Sequence, residues 1–295
     1  MEKKIVLAGG TGFIGKYFAK KFKGLGYQVI IISRNNTHIQ WDNKSEIENA
    51  LNGAEMLINL AGKSVNCRYN QKNKYEILRS RTATTKILGE AILNCENPPA
   101  LWINSSTATI YRHAMDKPMT ETDGEIGTGF SVDVATKWEK SFFDWQLPNT
   151  RQIALRMAII LGEGGGVMEP FVNLVRFGLG GKHASGKQMF SWLHVEDLFS
   201  IIVFLQKEKE LSGVFNCSAP NPIDNATLMS SLRKTMKVNI GLPSPKWILK
   251  MGAVLIGTET ELILKSRWVI PDRLTKVGYQ FKFPFIDGAL ENILK

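Results

Sequence analysis

The chain opens on an unbroken apolar run, Ile5-Val6-Leu7-Ala8, followed by glycines at 9, 10, 12 and 15 and by Ile14, Phe18 and Phe22 at four-residue spacing. Four-residue recurrence puts apolar side chains on one face of a helix, whereas a short continuous apolar run suits a strand buried on both faces. Residues 3 to 8 are therefore expected as a strand, Gly9 to Gly15 as a turn, and 13 to 23 as a helix stopped by Gly24 and Gly26. Gln28 to Ser33 reads as a second buried strand and closes a βαβ unit of about 30 residues. The pattern repeats, with buried-strand candidates at Met56 to Leu60, Leu101 to Ser105 and Ile153 to Leu161, each preceded by a helical stretch.

Beyond Leu161 the regularity stops. Gly162-Glu163-Gly164-Gly165-Gly166 reads as a loop, and glycine-rich turns then alternate with short helices. Phe190 to Leu205 returns to a strand and helix pattern, so two lobes are expected to interleave: 1–161 with about 187–220, and a smaller one from about 162–186 with 221–295. The alternation in the larger lobe is that of an α/β, Rossmann-type doubly wound parallel sheet, which leaves the smaller lobe to a substrate.

Gly9-Gly10-Thr11-Gly12-Phe13-Ile14-Gly15 sets glycines at three-residue intervals between strand and helix. This spacing lets the backbone turn tightly and approach a pyrophosphate at the helix N-terminus, while Gly15 allows close packing of helix on strand. A tight turn without a ligand is the plain alternative, and the position inside a βαβ unit argues against it. An acidic residue about 20 positions further on would bind the ribose hydroxyls of NAD and repel a 2′-phosphate. Ser33-Arg34-Asn35 stands there instead. A hydroxyl and a guanidinium suit a phosphate, which favours NADP(H) over NAD(H); the alternative is a solvated loop arginine. Asp42 either meets the adenine amino group or belongs to a surface turn.

Composition narrows the picture. The formal charge of +10 comes from lysines and arginines spread over the whole length, without a basic block or a stacking-aromatic module. A nucleic-acid partner is therefore not expected, and a basic protein with phosphate-bearing ligands accounts for the charge. The lysines before Ile5 imitate the start of a signal peptide, but the glycines cut off any apolar core for one. The longest apolar stretches, around Leu198 to Leu205 and Trp247 to Leu264, are too short or are broken by Lys250, Glu259 and Glu261, which speaks against a membrane span. Cys67, Cys95 and Cys217 lie far apart, and four scattered histidines add no metal pattern. A reducing, cytoplasmic compartment and no metal are the expectations. The chain is expected as a monomer or a homodimer, the latter through apolar positions on a helix from Ser131 to Trp145.

Further segments carry a resemblance. Asn59-Leu60-Ala61-Gly62, Ser105-Ser106-Thr107-Ala108-Thr109-Ile110-Tyr111 and Gly186-Lys187-Gln188-Met189-Phe190-Ser191-Trp192-Leu193-His194-Val195-Glu196-Asp197, with the glycine turn, resemble the extended short-chain dehydrogenase/reductase family, also called the NAD-dependent epimerase/dehydratase family, across nearly the whole chain. Ser80-Arg81, Thr136-Lys137-Trp138-Glu139, Gly178-Leu179-Gly180-Gly181 and the tail from Val269-Ile270-Pro271 to Gly278-Tyr279 are similar to an atypical subgroup of sugar-nucleotide epimerase-like proteins without generally assigned substrates. The resemblance implies a cofactor near Ser33, Arg34, Leu60, Ala61, Glu76 and Arg81, with Gly62 and Ser105 on its path. For Glu76 and Arg81 the alternative is an ion pair on a helix surface.

Hydride transfer at a hydroxyl carbon needs an acid/base beside the nicotinamide. The resemblance implies a tyrosine, a lysine four residues later, and a serine or threonine that orients the substrate oxygen. Thr107 fits the orienting position. Counting back from Glu139, however, the tyrosine and lysine positions hold Ser131 and Ala135, and Lys137 has Asp133 four residues before it. Tyr111 is the local surrogate, with a structural or substrate-lining tyrosine as the alternative; His113 and His194 are less well placed. Arg156, a charge in a buried strand, calls for a carboxylate or a cofactor phosphate. Two readings follow: an NADP(H)-dependent oxidoreductase or epimerase-like enzyme for a small hydroxyl or carbonyl compound, conceivably a nucleotide sugar, and a non-catalytic NADP(H)-binding redox sensor.

Overall fold

The computed structural model describes residues 3–245 and 264–295; most of the apolar stretch from Trp247 to Leu264 lies outside the described residues. In chain order the first elements are β1 (Lys4–Ala8), α1 (Phe13–Gly24), β2 (Gln28–Ile32), α2 (Lys44–Leu51), β3 (Met56–Asn59), α3 (Gln71–Leu93), β4 (Leu101–Thr107), α4 (Phe130–Phe143), β5 (Arg151–Met157) and β6 (Ile159–Leu161). They are followed by α5 (Met168–Arg176), β7 (Met189–Phe190), β8 (Trp192–His194), α6 (Val195–Lys207), β9 (Gly213–Cys217), β10 (Ile223–Asp224) and α7 (Asn225–Thr235). After the gap come α8 (Asp272–Lys276) and α9 (Ile286–Leu294).

Six parallel strands form the central sheet in the order β2-β1-β3-β4-β5-β9. The order reverses between β1 and β3, the place where an open α/β sheet leaves a crevice at the carboxyl ends of its strands. Strands buried on both faces need apolar residues at successive positions, which Ile5 to Ala8 and Met56 to Ile58 supply. One face of the sheet packs on α1 and α6 through Phe18, Phe22, Leu198 and Ile202. The other packs on α2, α3 and α4 through Ile47, Leu88, Ile92 and Phe142.

The strand expected over Ile153 to Leu161 is two strands. The Ala158 N–H bonds to Cys217 O (2.9 Å), ending the run in the main sheet, and the Ile159 N–H turns to Ser191 O (3.2 Å). β6 then pairs with β8 outside the main sheet. Around this pair, Leu161, Trp192, Leu228, Met229 and Leu290 gather a third core from α7, α9 and the short strands. The apolar positions of α4 are not exposed as expected: Val132, Val134, Ala135, Trp138 and Phe142 are buried within the chain, which removes that helix as an argument for a dimer. No helix among the described residues is long and apolar enough to cross a membrane.

His194 joins the start of α6 to the C-terminal segment. It caps α6, its Nδ1 accepting from the Glu196 N–H (3.1 Å), and its ring lies 4.0 Å from that of Phe283. Burial pushes its pKa down to about 4, against the opposing pull of the Glu196 carboxylate. A base whose folded pKa lies below its unfolded value contributes stability that is complete above about pH 6.5 and is lost as pH falls towards the folded pKa. His194→Asn keeps an N-cap acceptor and removes this titration. The difference in stability between wild type and variant is expected to shrink by on the order of 2 kcal/mol between pH 7 and pH 4. Urea unfolding across that range checks it, and two parallel pH curves would contradict it.

Candidate functional site

The glycine turn brings three close approaches together at the switch point. Gly9 has φ of 79°, and a Cβ there would lie 2.7 Å from the Ala61 nitrogen. A Cβ on Gly15 would lie 2.6 Å from the Gly10 backbone. Neither position tolerates a side chain, so the N-terminus of α1 sits directly over the ends of β1 and β3. Gly12 differs: a Cβ would meet nothing within 4 Å, because the residue borders a cleft. Gly12 is also the N-cap of α1 and supplies no side-chain cap, which leaves the first-turn N–H groups turned to whatever fills the cleft.

The cleft encloses about 470 Å³. Gly9, Gly12 and Gly15 line it at one side, Leu60, Ala61 and Gly62 continue it, and Ser105, Ser106 and Thr107 at the end of β4 extend it towards Phe130, Ser131, Val134 and Trp138 of α4. A buried polar network holds these strand ends in register. Asn59 Nδ2 donates to Asn104 Oδ1 (2.7 Å) and to Thr85 Oγ1 (3.3 Å), Asn59 Oδ1 accepts from the Ala61 N–H (3.0 Å), and Trp138 Nε1 donates to Thr85 Oγ1 (3.1 Å). Leu60 to Gly62 and the cleft face of α4 are thus fixed through the same threonine of α3.

Arg81, also on the cleft, donates to the carbonyls of Lys63 (3.1 Å) and Ile77 (3.0 Å), and its guanidinium lies 5.1 Å over the Trp138 ring. Burial pulls its pKa down to about 10. No carboxylate pairs with it among the described residues. A Cβ on Gly62 would come within 3.0 Å of its Cζ, so the absence of a side chain there makes room for the guanidinium. Glu76 is paired with Lys63 rather than with Arg81, and that ion pair, helped by Lys63 Nζ to Asn73 Oδ1 at 3.0 Å, ties the loop after β3 to α3.

At the end of β2, Ser33 is buried, its Oγ accepting from the Asn35 N–H (3.0 Å), and Arg34 is exposed. A second, polar depression of about 510 Å³ lies beyond them, lined by His38, Gln40, Asp42 and Glu46 among others. Phe13 and Ile14 line the main cleft; Thr11, Ser33, Arg34 and Glu76 do not.

The structure places Tyr111 outside the cleft lining. Its ring is 1% exposed, its hydroxyl donates to Asn216 Oδ1 (2.9 Å) and accepts from Arg156 Nη1 (2.9 Å), and burial raises its pKa. A phenol sealed beneath β4 and β5 with both hydrogen-bonding roles filled cannot exchange a proton with a substrate in the cleft. Arg156 finds a carboxylate, gripping Glu139 through Nη2–Oε2 (2.7 Å) and Nε–Oε1 (2.9 Å), and Ser106 Oγ donates to the same Oε1. Neither histidine offers a substitute: His113 Nδ1 accepts from the Ser266 N–H (3.1 Å), and His194 is the buried cap of α6.

Thr107 does line the cleft, its Oγ1 accepting from the Thr109 N–H (3.1 Å). Ser131 lines it too, whereas Ala135 is fully buried. Lys63, Tyr69 and Trp138 are cleft residues that sequence reasoning did not single out as binding residues. Trp138 was open to discovery, because Ser131, Val134 and Trp138 fall at helical spacing on one face of α4; Tyr69 stands in a loop and left no periodic signal. No group of metal-ligating side chains occurs among the described residues.

The description "NAD dependent epimerase/dehydratase family" fits residues 5–131, and a domain of unknown function, DUF1731, matches residues 244–293. The mouse epimerase family protein SDR39U1 is 31% identical over 99% of both chains, and the Bacillus subtilis epimerase family protein YfhF is 29% identical over 98% of this chain and 97% of its own. Among solved structures, human SDR39U1 (isoform 2) with NADPH superposes with a TM-score of 0.88 at 31% identity, covering 98% of each chain. The nucleoside-diphosphate sugar epimerase from Corynebacterium glutamicum gives a TM-score of 0.80 at 26% identity, covering all of this chain and 58% of that one. With end-to-end similarity to such relatives and a glycine turn set at the switch point of a six-stranded parallel sheet, the chain belongs to the NAD-dependent epimerase/dehydratase family.

Proposed function

We propose that this protein binds NADP(H) and acts as an oxidoreductase or epimerase-like enzyme on a small hydroxyl or carbonyl compound. The observation that carries the reading is the single cleft running from the uncapped N-terminus of α1 to Thr107. The α1 N-terminus suits a pyrophosphate, Leu60 to Gly62 a ribose, Arg81 an anionic or hydroxyl-rich stretch of the cofactor, and Ser33 with exposed Arg34 a 2′-phosphate. Thr11, Phe13, Ile14, Gly15, Glu76 and Ser105 belong to the same site in this reading. When bound, the cofactor supplies hydride chemistry, which has to take place where Thr107 can orient a substrate oxygen. That human SDR39U1 has been crystallised with NADPH supports the choice of cofactor. The smaller lobe, about 162–186 and 221–295, is the part assigned to the substrate, and the unpaired cysteines are in keeping with a cytoplasmic location.

A second reading, binding of NADP(H) without turnover, is favoured by a specific observation: the positions of the family's acid/base pair hold Ser131 and the buried Ala135, and Tyr111 is tied up elsewhere. Following NADPH oxidation at 340 nm against sugar nucleotides, aldehydes and ketones separates the two. Turnover that falls about a hundredfold in Thr107→Ala supports the enzyme; tight NADPH binding with no turnover of any substrate supports the sensor.

Two binding predictions follow from the cofactor assignment. Arg34→Ala is expected to weaken NADPH by at least about tenfold, from the loss of about 1.5 to 3 kcal/mol of phosphate contact, and to leave NADH unchanged. Calorimetric titration of both cofactors decides, and equal preference in wild type and variant would detach the end of β2 from the site. Gly12→Val meets no protein atom at its Cβ, so it is expected to fold normally and to lose measurable NADPH binding by filling the space over α1. Unchanged affinity with an unchanged thermal melt would remove the glycine turn from the site.

A further inference from the structure

One motif in the sequence plays no part in the cleft. Gly178-Leu179-Gly180-Gly181 forms the turn after α5, and Gly178, with φ of 74°, ends that helix. The turn is bound to the segment after α7. The Leu242 N–H donates to Gly178 O (2.8 Å), the Gly181 N–H to Leu242 O (3.1 Å) and the Ser244 N–H to Lys182 O (3.0 Å). A Cβ on Gly181 would lie 2.5 Å from the Leu242 backbone, so only glycine lets the two segments meet this closely. Arg233 of α7 adds a bond to Gly180 O. Phe177, Leu179, Ile240 and Leu242 all stand within two residues of the Gly178–Leu242 bond, and all four face solvent; Phe177 is 79% exposed and Ile240 67%. A scattered apolar residue on a surface is ordinary, whereas four large ones gathered on bonded backbone mark a contact surface.

The charges around these residues say what kind of partner fits. Residues 173–187 and 225–245 include Arg176, Lys182, Lys187, Arg233, Lys234 and Lys237 and not one aspartate or glutamate. None of the six cations makes an ion pair among the described residues. Arg176, Arg233 and Lys234 complement the C-terminal ends of α5 and α7. Lys182 and Lys187 stand outside the helices, where no helix end calls for them. We propose that this face docks on an anionic lipid surface, with Phe177, Leu179, Ile240 and Leu242 entering the headgroup region and the six cations meeting lipid phosphates. The attachment is peripheral and not a span, and it does not rest on the cofactor reading.

Other partners satisfy only half of the surface. A second copy of the chain on the same patch, related by a two-fold axis, would set six cations against six with no carboxylate in either segment. A nucleic acid answers the cations, but the stacking it offers suits flat rings and gives Leu179, Ile240 and Leu242 nothing to bury against. A bilayer with anionic headgroups answers both. Each apolar side chain taken out of water, and each cation brought within a Debye length of the surface, adds to the affinity. The formal charge of +10 on the whole chain adds a long-range attraction of the same sign.

The test is sedimentation of the full chain with vesicles of phosphatidylcholine alone and of phosphatidylcholine mixed with phosphatidylglycerol. Binding is expected only to the mixed vesicles and is expected to weaken as sodium chloride is raised. Phe177→Ser with Ile240→Ser keeps every charge and is expected to lower partition onto the mixed vesicles by about tenfold or more. Lys182→Glu with Lys237→Glu keeps every apolar side chain and is expected to do the same. Both double variants are expected to melt at the wild-type temperature, because the replaced side chains face solvent. Full binding by either variant overturns the proposal, as does failure of the wild type to bind the mixed vesicles. So does a wild-type dimer in analytical ultracentrifugation that the serine variant turns into a monomer, which would assign the face to a second copy. Retention on RNA without vesicle binding would assign it to a nucleic acid, and a melt well below wild type in the serine variant would show these side chains to be covered within the chain; either result overturns the proposal as well.

Discussion

The buried pair of Glu139 and Arg156 is the interaction on which the cleft depends. Both side chains are about nine-tenths buried, at 10% and 11% exposure, and a charge out of water is tolerated only when its hydrogen bonds are nearly all made. Here they are: two bonds from the guanidinium to the carboxylate, a third to Tyr111, and a further bond from Ser106 to the carboxylate. Burial works against the Arg156 charge, yet Glu139 and Tyr111 hold its pKa above the ordinary value. Four elements meet at this point. Glu139 comes from α4, Ser106 from β4, Arg156 from β5, and Tyr111 passes the link to Asn216 of β9. Removing one member leaves the other charge buried, a loss of about 3 to 5 kcal/mol. The register of β4 against α4 fixes where Thr107 and Ser131 stand relative to each other, so the cleft's geometry is inherited from an ion pair that does not need to touch a ligand.

The chain's regular part was legible because its physics is local. Phe18 and Phe22 announce the buried face of α1, and the unbroken run from Ile5 to Ala8 announces a strand covered on both sides. The glycine turn was legible for the same reason, since close approach leaves no alternative residue at Gly9 or Gly15. Arg156 was recognisable as a charge that needed a partner, and Glu139 is that partner. What periodicity did not carry is long-range. The break after β5 is decided at Ala158 by a hydrogen bond to Cys217, and the burial of Tyr111 by Asn216, 105 residues further on. Lys63 and Tyr69 sit in a segment without regular structure between β3 and α3, where side-chain direction leaves no trace in spacing. The exposure expected for α4 failed because a single helix can bury two sides at once, against the sheet and against α3.

The two ends of the cleft differ in charge. At the glycine turn the uncapped amides of α1, and along the same cleft the guanidinium of Arg81, which meets no carboxylate among the described residues, create a positive potential where desolvation strengthens every interaction with an anion. A phosphate-bearing cofactor answers that field and a neutral ligand does not. Towards Thr107 and Ser131, Glu139 and Arg156 cancel each other behind the strand, and apolar Val134, Trp138 and Met157 share the lining with short hydroxyl side chains. Ser131 and Ala135 can therefore stand where the family has its tyrosine and lysine without disturbing the glycine turn, because the turn's close approaches are made with Ala61 and Gly10 and not with α4.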